Sequence, residues 1–169
     1  AESLLDAARE LTNRHRASSL HILFPDLQQA QALGSSNLSL RKDCQFHWHN
    51  RQYSNFDDFL NQFTAEKRKK TRRERRRVQE AGITFQTITG NDLANADWDE
   101  IMPLYTATFA RRGRSPYLNK DCFIQLSNTM ADNLVAFLGY AGNELVAVAL
   151  CFRSNTTLYG RYWGATRFI

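Results

Sequence analysis

Residues 134–152 read LVAFLGYAGNELVAVALCF, two apolar runs joined by a short polar segment. The runs at 134–140 and 145–152 are rich in β-branched and other apolar residues, and the connection between them contains Gly142. A small, glycine-containing connection between two such runs predicts an antiparallel hairpin. Residues 156–163 predict a third strand, which follows a short turn at Ser154 and Asn155.

Upstream of this hairpin, apolar periodicity predicts further strands and helices. The expected strands are residues 19–24, 38–48 and 83–88, and the expected helices are residues 3–16, 25–34, 98–111 and 120–130. A further helix would place Phe56, Phe59, Leu60 and Phe63 on one face, with Ser54 or Asn55 as its N-cap. This order of elements predicts an α/β or α+β fold with a mixed sheet.

A dense block of positive charge interrupts the pattern. Nine of the 22 basic residues fall within residues 67–77, where only Glu74 opposes them, so this segment carries +8. The other 158 residues hold 13 basic and 16 acidic groups, a net −3. Thr64 either caps this helix or continues the preceding one, and Gly82 ends it. Eleven helical residues make about three turns, so the charges point in every direction and the helix cannot lie in a core.

Several roles are open for this basic helix. The favoured one is a strut, meaning a solvated helix held between two packed units by salt bridges. The alternative is recognition of phosphate groups on a ligand or on RNA. Groove binding to duplex DNA is disfavoured, because no helix-turn-helix, zinc-finger or zipper pattern is present. The cations expected to contact phosphate are Lys67, Arg68, Arg72, Arg73, Arg75 and Arg76.

The strand at residues 156–163 carries the strongest candidate site. Period-two alternation puts Tyr159, Arg161 and Trp163 on one face and Tyr162 on the other. An arginine between two aromatic side chains can stack on them and still offer its planar fork to a carboxylate or phosphate. Aromatic core packing around an internally paired Arg161 is an equally open interpretation.

Other chemistry finds little support in the sequence. His47 and His49 would share a strand face with Gln45, but no third ligand stands at a telling spacing, so no metal is expected. No nucleophilic triad, dinucleotide-binding or P-loop motif is found. The longest apolar stretch, residues 145–152, is far shorter than the roughly 20 residues that span a bilayer. Three cysteines without a metal or redox spacing indicate reduced thiols and a cytoplasmic protein.

A set of short motifs occurs in a fixed order along the chain. They are QFHW at 45–48 with Asn50 and Tyr53, FDDFL at 56–60, KRK at 67–69, RRER at 72–75, AGI at 81–83, PYL at 116–118 and LYGRYWG at 158–164. This ordered set resembles the bacterial FemAB-like proteins of peptidoglycan biosynthesis or recognition, a branch of the GNAT acyltransferase superfamily. The resemblance covers nearly the whole chain and is strongest from residue 44 onward.

The resemblance implies parts of two tandem GNAT-like domains within a longer protein. Residues 1–53 would be the later part of the first domain, residues 54–82 the basic connecting helix, and residues 83–169 the first half of the second domain. The parent chemistry would be acyl or aminoacyl transfer, with acyl-CoA or aminoacyl-tRNA as donor and a small molecule or peptidoglycan precursor as amine acceptor. The Gly-rich pyrophosphate turn expected after the last strand does not occur before Ile169, so we expect this chain alone to be inactive.

On the same premise, site residues can be assigned. Tyr159, Arg161 and Trp163 would line the acceptor cleft, with Tyr105 and Tyr117 near it and with Gln45 and His47 facing an interdomain groove. Arg161 would bind a carboxylate or phosphate, and Tyr159 or His47 would transfer the proton. An exposed edge of the sheet predicts self-association. The alternative function is a non-catalytic module that binds RNA or tRNA through the basic helix.

Overall fold

The computed structural model describes residues 2–166, except for the side chains of Glu2, Ser3 and Asn91. The chain divides into two compact units, residues 1–52 and residues 53–169. The organisation into two tandem acyltransferase-type domains with a connecting helix stays a prediction. The cofactor turn expected after the last strand does not fall within the described part of the chain.

The first unit holds two helices, α1 (Glu2–Arg14) and α2 (Leu27–Gly34). Asp26 caps α2 through a capping box, in which its carboxylate accepts from the Gln29 amide while the Gln29 side chain accepts from the Asp26 amide. Pro25 therefore lies just before the N-cap and not in the first turn, where the sequence had placed it. Both helices otherwise match their predicted positions.

The prediction of two strands in this unit is wrong. Neither residues 19–24 nor residues 38–48 form a strand in the described part of the unit. Residues 38–48 alternate as a strand would, but a strand needs a partner to satisfy its backbone groups. No neighbouring strand is found within residues 2–52, and Phe46 and Trp48 are exposed.

The second unit contains a four-stranded antiparallel sheet. Its strands are β1 (Ile83–Thr89), β2 (Leu134–Ala141), β3 (Glu144–Arg153) and β4 (Leu158–Ala165), arranged in sequence order. The β2–β3 hairpin is confirmed, and its turn places Gly142 at φ +62°, where glycine avoids the strain of a side chain. The described strands pair only antiparallel, where a mixed sheet was expected.

Helices cover one face of this sheet. Between β1 and β2 run α5 (Gly90–Ala94), α6 (Trp98–Ala110), α7 (Lys120–Thr129) and a short 3₁₀ helix, Ala131–Asn133. The buried cluster comprises Ile88, Leu93, Trp98, Ile101, Leu104, Tyr105, Phe123, Leu134, Ala136, Leu138, Val148 and Leu150. Its strand members alternate along β2 and β3, so they share the helix-covered face. The α+β class is confirmed, and the arrangement is consistent with the GNAT-like fold that the resemblance implies.

Two more helices precede the sheet, α3 (Phe56–Asn61) and α4 (Ala65–Glu80). Asn55 caps α3 by accepting from the Asp58 amide, and Thr64 caps α4 by accepting from the Lys67 amide. The predicted caps and the helical state of the basic segment are therefore confirmed. Across the described residues, no helix has both the length and the apolar character needed to cross a membrane.

Strand β4 approaches α6 very closely. A Cβ atom built on Gly164 would lie 2.0 Å from the Leu104 carbonyl oxygen, so only glycine fits there. The Thr108 hydroxyl donates to the Trp163 carbonyl, and the Arg111 guanidinium donates to the Ala165 carbonyl at 2.7 Å. These contacts fix the C-terminal half of α6 against β4, where the candidate site lies.

Candidate functional site

A β-bulge on β4 determines where Arg161 points. Leu150 pairs with Tyr162 and Cys151 pairs with Gly160, so Arg161 is an extra residue without a partner on β3. The bulge breaks the period-two alternation, and the Arg161 guanidinium carbon lies 5.2 Å from the centroid of the Tyr162 ring. The prediction that Tyr162 faces away from Arg161 is therefore wrong.

Arg161 is paired with a phenol. Its guanidinium donates to the Tyr117 hydroxyl at 2.9 Å, and its carbon lies 6.0 Å from the centroid of the Tyr117 ring. No carboxylate forms an ion pair with Arg161 among the described residues. The residue is exposed and keeps its positive charge uncompensated. Such a group, held by aromatic side chains, can bind a carboxylate or phosphate through its remaining donors.

Tyr105 is the buried centre of the same cluster. Its side chain is 1% exposed, and its ring centroid lies 4.9 Å from that of Tyr162, at nearly a right angle. Phe109 and Phe123 contact it edge-on at 5.1 and 5.2 Å between centroids. The Tyr105 hydroxyl has no hydrogen-bond partner of ordinary geometry within the described chain, although it is shielded from solvent.

Burial controls the acidity of two of these phenols. It raises the pKa of Tyr105, against the opposing effects of the nearby Leu118 backbone and of the Tyr162 hydroxyl. Burial also raises the pKa of Tyr162 to about 12, assisted by the Tyr117 hydroxyl and opposed by the charge of Arg161. Both phenols are therefore neutral near pH 7, where they act as hydrogen-bond donors and cannot serve as bases.

The structure brings together only some of the predicted site residues. Arg161, Tyr105 and Tyr117 meet in this cluster. We call these three residues, together with Tyr162, the tyrosine–arginine site. Sequence reasoning missed Tyr162, because a bulge leaves no trace in a period-two pattern. The LYGRYWG segment does contain a glycine, Gly160, beside the bulge, and a glycine inside a strand often marks a bulge.

Tyr159 and Trp163 lie apart from each other. Tyr159 pairs with Phe152, while Trp163 pairs with Ala149, a residue of opposite parity on β3. Since paired residues share a face, Tyr159 and Trp163 lie on opposite faces of the sheet, which corrects the single-face prediction. Each is 56% exposed.

Gln45 and His47 belong to the first unit. Both are exposed, and the His47 Nε2 atom lies 3.3 Å from the Gln45 side-chain oxygen. The ring centroids of His47 and His49 are 6.3 Å apart. Among residues 2–166, no group of three potential metal ligands comes together. The roles predicted for Gln45 and His47 stay predictions.

Helix α3 holds three cations of the basic helix α4. Arg72 forms an ion pair with Asp57 at 2.9 Å, and Arg68 donates to the Asn61 side-chain oxygen at 3.1 Å. The Arg75 guanidinium carbon lies 4.0 Å from the centroid of the Phe56 ring, a cation–π distance. These three side chains, Arg68, Arg72 and Arg75, form the α3-facing set.

The remaining cations of α4 are less well compensated. Lys70 and Arg76 approach Glu74 and Glu80 at 3.9 and 4.0 Å, distances that make weak, exposed pairs. Of these six remaining cations, four have no acidic partner in the described part of the chain: Lys67, Lys69, Arg73 and Arg77. An open groove of about 420 Å³ runs along the helix, lined by Ala65, Arg68, Lys69, Arg72 and Arg76. The strut interpretation requires acidic partners for the cations of α4. Only three of the nine have one in the described part of the chain, namely Lys70, Arg72 and Arg76.

Comparison with known proteins adds a family. A family model described as FemAB-like, peptidoglycan biosynthesis/recognition, matches residues 1–169. The match covers both units, including α4 and all four strands. No curated protein shows a significant match to the chain.

Proposed function

Because the chain belongs to the FemAB-like family of peptidoglycan biosynthesis or recognition, we propose that it serves acyl or aminoacyl transfer to an amine acceptor. One observation carries the proposal. The exposed Arg161 has no carboxylate partner among the described residues and is held by the Tyr117 hydroxyl and the Tyr162 ring. This arrangement suits an acceptor that carries an anionic group near its amine, such as a peptidoglycan precursor or a small amino acid-like molecule.

The proposed reaction forms an amide. The acceptor nitrogen attacks the carbonyl carbon of a thioester or ester, the new C–N bond forms, and the C–S or C–O bond of the donor breaks. The amine proton passes to a base, and the departing thiolate or alkoxide takes up a proton. We propose acyl-CoA or aminoacyl-tRNA as donor, with Tyr159 or His47 as the group that transfers the proton.

The tyrosine–arginine site would bind and orient the acceptor. Arg161 and Tyr117 would hold its anionic group, which places the amine relative to the donor carbonyl. Tyr162 is half-buried and stays neutral because its pKa is raised, so it would donate a hydrogen bond to the acceptor or to the developing oxyanion, while the buried Tyr105 ring would support it. Trp163 would lie outside this site, on the other face of the sheet.

A transfer assay on the full-length protein tests the proposal. The protein is incubated with an amine acceptor and either acyl-CoA or aminoacyl-tRNA, and intact mass reports the modified acceptor. Arg161→Gln should raise KM for an anionic acceptor by tenfold or more, since one charge-assisted contact is worth about 1.5–3 kcal/mol. Arg114→Gln is the control, because the Arg114 side chain is exposed and forms no hydrogen bond or ion pair in the described chain. Absence of product with both donors, or an unchanged KM in Arg161→Gln, would refute the proposal.

A second candidate function is RNA or tRNA binding without catalysis. It is favoured by the cations of α4 that have no acidic partner among the described residues, because uncompensated charge attracts a polyanion. This function would persist in a chain that transfers nothing, so binding and transfer can be measured separately.

A further inference from the structure

The cations of α4 divide into two groups that differ in what they contact. The α3-facing set, Arg68, Arg72 and Arg75, is engaged by an amide, a carboxylate and an aromatic ring. Lys69, Arg73 and Arg77 are exposed and have no acidic partner within the described chain. Because they follow one another at intervals of four residues, they form one stripe along the helix, with positive groups about 6 Å apart along the axis.

The two groups are centred on different sides of the helix, and they adjoin at the open groove that Lys69 and Arg76 line together with Arg68 and Arg72. At about 100° per residue, the stripe is centred roughly 130° around the helix from the α3-facing set. Arg76 borders the stripe and has only a 4.0 Å approach to Glu80. The stripe therefore presents three to four cations to whatever lies outside the α3–α4 hairpin.

We infer that this stripe, Lys69, Arg73 and Arg77 with Arg76 at its border, binds the backbone of a single strand of nucleic acid. A repeated anion suits a repeated cation, and a flexible strand can adjust its phosphates to the spacing of the stripe. The inference deepens the second candidate function above and does not depend on the transfer reaction.

Duplex groove binding fits the hairpin poorly. A helix with its side chains is about 10–12 Å across, and the major groove of B-DNA is about 12 Å wide. α3 is held along one flank of α4 through Asp57, Asn61 and Phe56. The pair of helices is too wide for the groove, so α4 contacts phosphates from outside.

A membrane surface fits poorly too. A helix that lies in the bilayer interface buries an apolar face among the headgroups. The apolar side chains of α4 are those of Ala65 and Val78, one near each end, and neither belongs to the stripe. Binding to an anionic bilayer would therefore lack the apolar contribution.

Two triple variants with equal charge change test the inference. Lys69→Gln/Arg73→Gln/Arg77→Gln removes the stripe, and Arg68→Gln/Arg72→Gln/Arg75→Gln removes the α3-facing set. Binding of a single-stranded RNA oligonucleotide is followed by fluorescence anisotropy over a range of salt concentrations. For about four phosphate contacts, the log–log salt slope of the wild type should be near −3.

The stripe variant should bind about 100-fold more weakly at 0.1 M salt, with a slope shallower by about 2, and should melt at the same temperature as the wild type. The variant of the α3-facing set should melt at a lower temperature and keep most of the slope. If the variant of the α3-facing set loses its helical circular dichroism signal, the single variants Arg73→Gln and Arg72→Gln are compared in place of the two triple variants. The first should make the slope shallower by about 0.7 and the second should leave it unchanged.

Other ligands serve as competitors. Single-stranded DNA of the same length should bind like the RNA, because the phosphodiester is shared. At equal charge, the protein should bind three other polyanions more weakly than it binds the RNA. These are duplex DNA, vesicles with anionic lipids and poly-glutamate. Equal loss of binding in both triple variants, no loss in the stripe variant, or tighter binding of any of the three competitors would overturn the inference.

Discussion

At the scale of single residues, the buried hydroxyl of Tyr105 is unusual. A buried phenol without a partner forfeits its hydrogen bonds to water and reduces stability by about 1–3 kcal/mol. Tyr105 is 1% exposed, and no partner of ordinary geometry reaches its hydroxyl in the described chain. Its ring packs against Tyr162, so the aromatic contribution is independent of the hydroxyl.

Tyr105→Phe should therefore raise the free energy of unfolding, by about 1 kcal/mol, as measured by urea denaturation. Tyr117→Phe is the matched control. It removes a hydroxyl that accepts from Arg161, so it should lower the free energy of unfolding slightly. A loss of stability in Tyr105→Phe as large as that in Tyr117→Phe would mean that the Tyr105 hydroxyl is satisfied in solution.

Among elements, the contact between β4 and α6 depends on Gly164. A Cβ at this position would lie 2.0 Å from the oxygen and 2.5 Å from the carbon of the Leu104 carbonyl. These are backbone atoms of a helix, so the clash is relieved only when α6 moves away from β4. The movement would also separate Tyr105 from Tyr162, since these residues sit on the two elements.

Gly164→Ala should lower the free energy of unfolding by about 1–3 kcal/mol or more, the usual effect of overpacking, in thermal or urea denaturation. Gly160→Ala provides a control on the same strand, because no atom lies within 4 Å of the Cβ it would add. That variant should stay within about 0.5 kcal/mol of the wild type. Equal effects of the two substitutions would argue against the close approach.

The same elements show what sequence patterns can predict. The β2–β3 hairpin was predictable, because two apolar runs and a glycine turn lie next to each other in the chain. Residues 38–48 show comparable alternation, but strand formation depends on a partner that local sequence does not reveal. The helix α5 was missed, since five residues beginning Gly-Asn-Asp resemble a loop.

The residues of the candidate site were predictable in part, but their arrangement was not. Arg161, Tyr105 and Tyr117 were recognised by residue type and by their motifs, and the structure brings them together. Their arrangement was not predictable, because the bulge at Arg161 changes which side chains share a face. The basic helix was evident from charge alone, but its division into a set held by α3 and a free stripe needed the positions of Asp57, Asn61 and Phe56.

At the scale of the whole molecule, the edge of the sheet is the feature most open to another chain. β4 pairs only with β3 among the described residues, and on its outer side the Trp163 and Ala165 carbonyls accept from Thr108 and Arg111, so the first half of the strand is the part whose outer backbone groups stay open. Leu158, Tyr159 and Trp163 are each more than half exposed along this strand. β4 lacks the lysine and proline residues that commonly protect edge strands, although the bulge at Arg161 gives some protection.

We therefore predict that the chain self-associates through β4 in a concentration-dependent way, as measured by sedimentation equilibrium. Leu158→Lys should shift the distribution toward monomer, because a charged edge residue opposes strand pairing. Met130→Lys is the control, since Met130 is also an exposed apolar residue but lies outside the strands. Dissociation by both variants would point to general apolar association and not to the edge. A wild type that stays monomeric at high concentration would show that β4 is protected in solution.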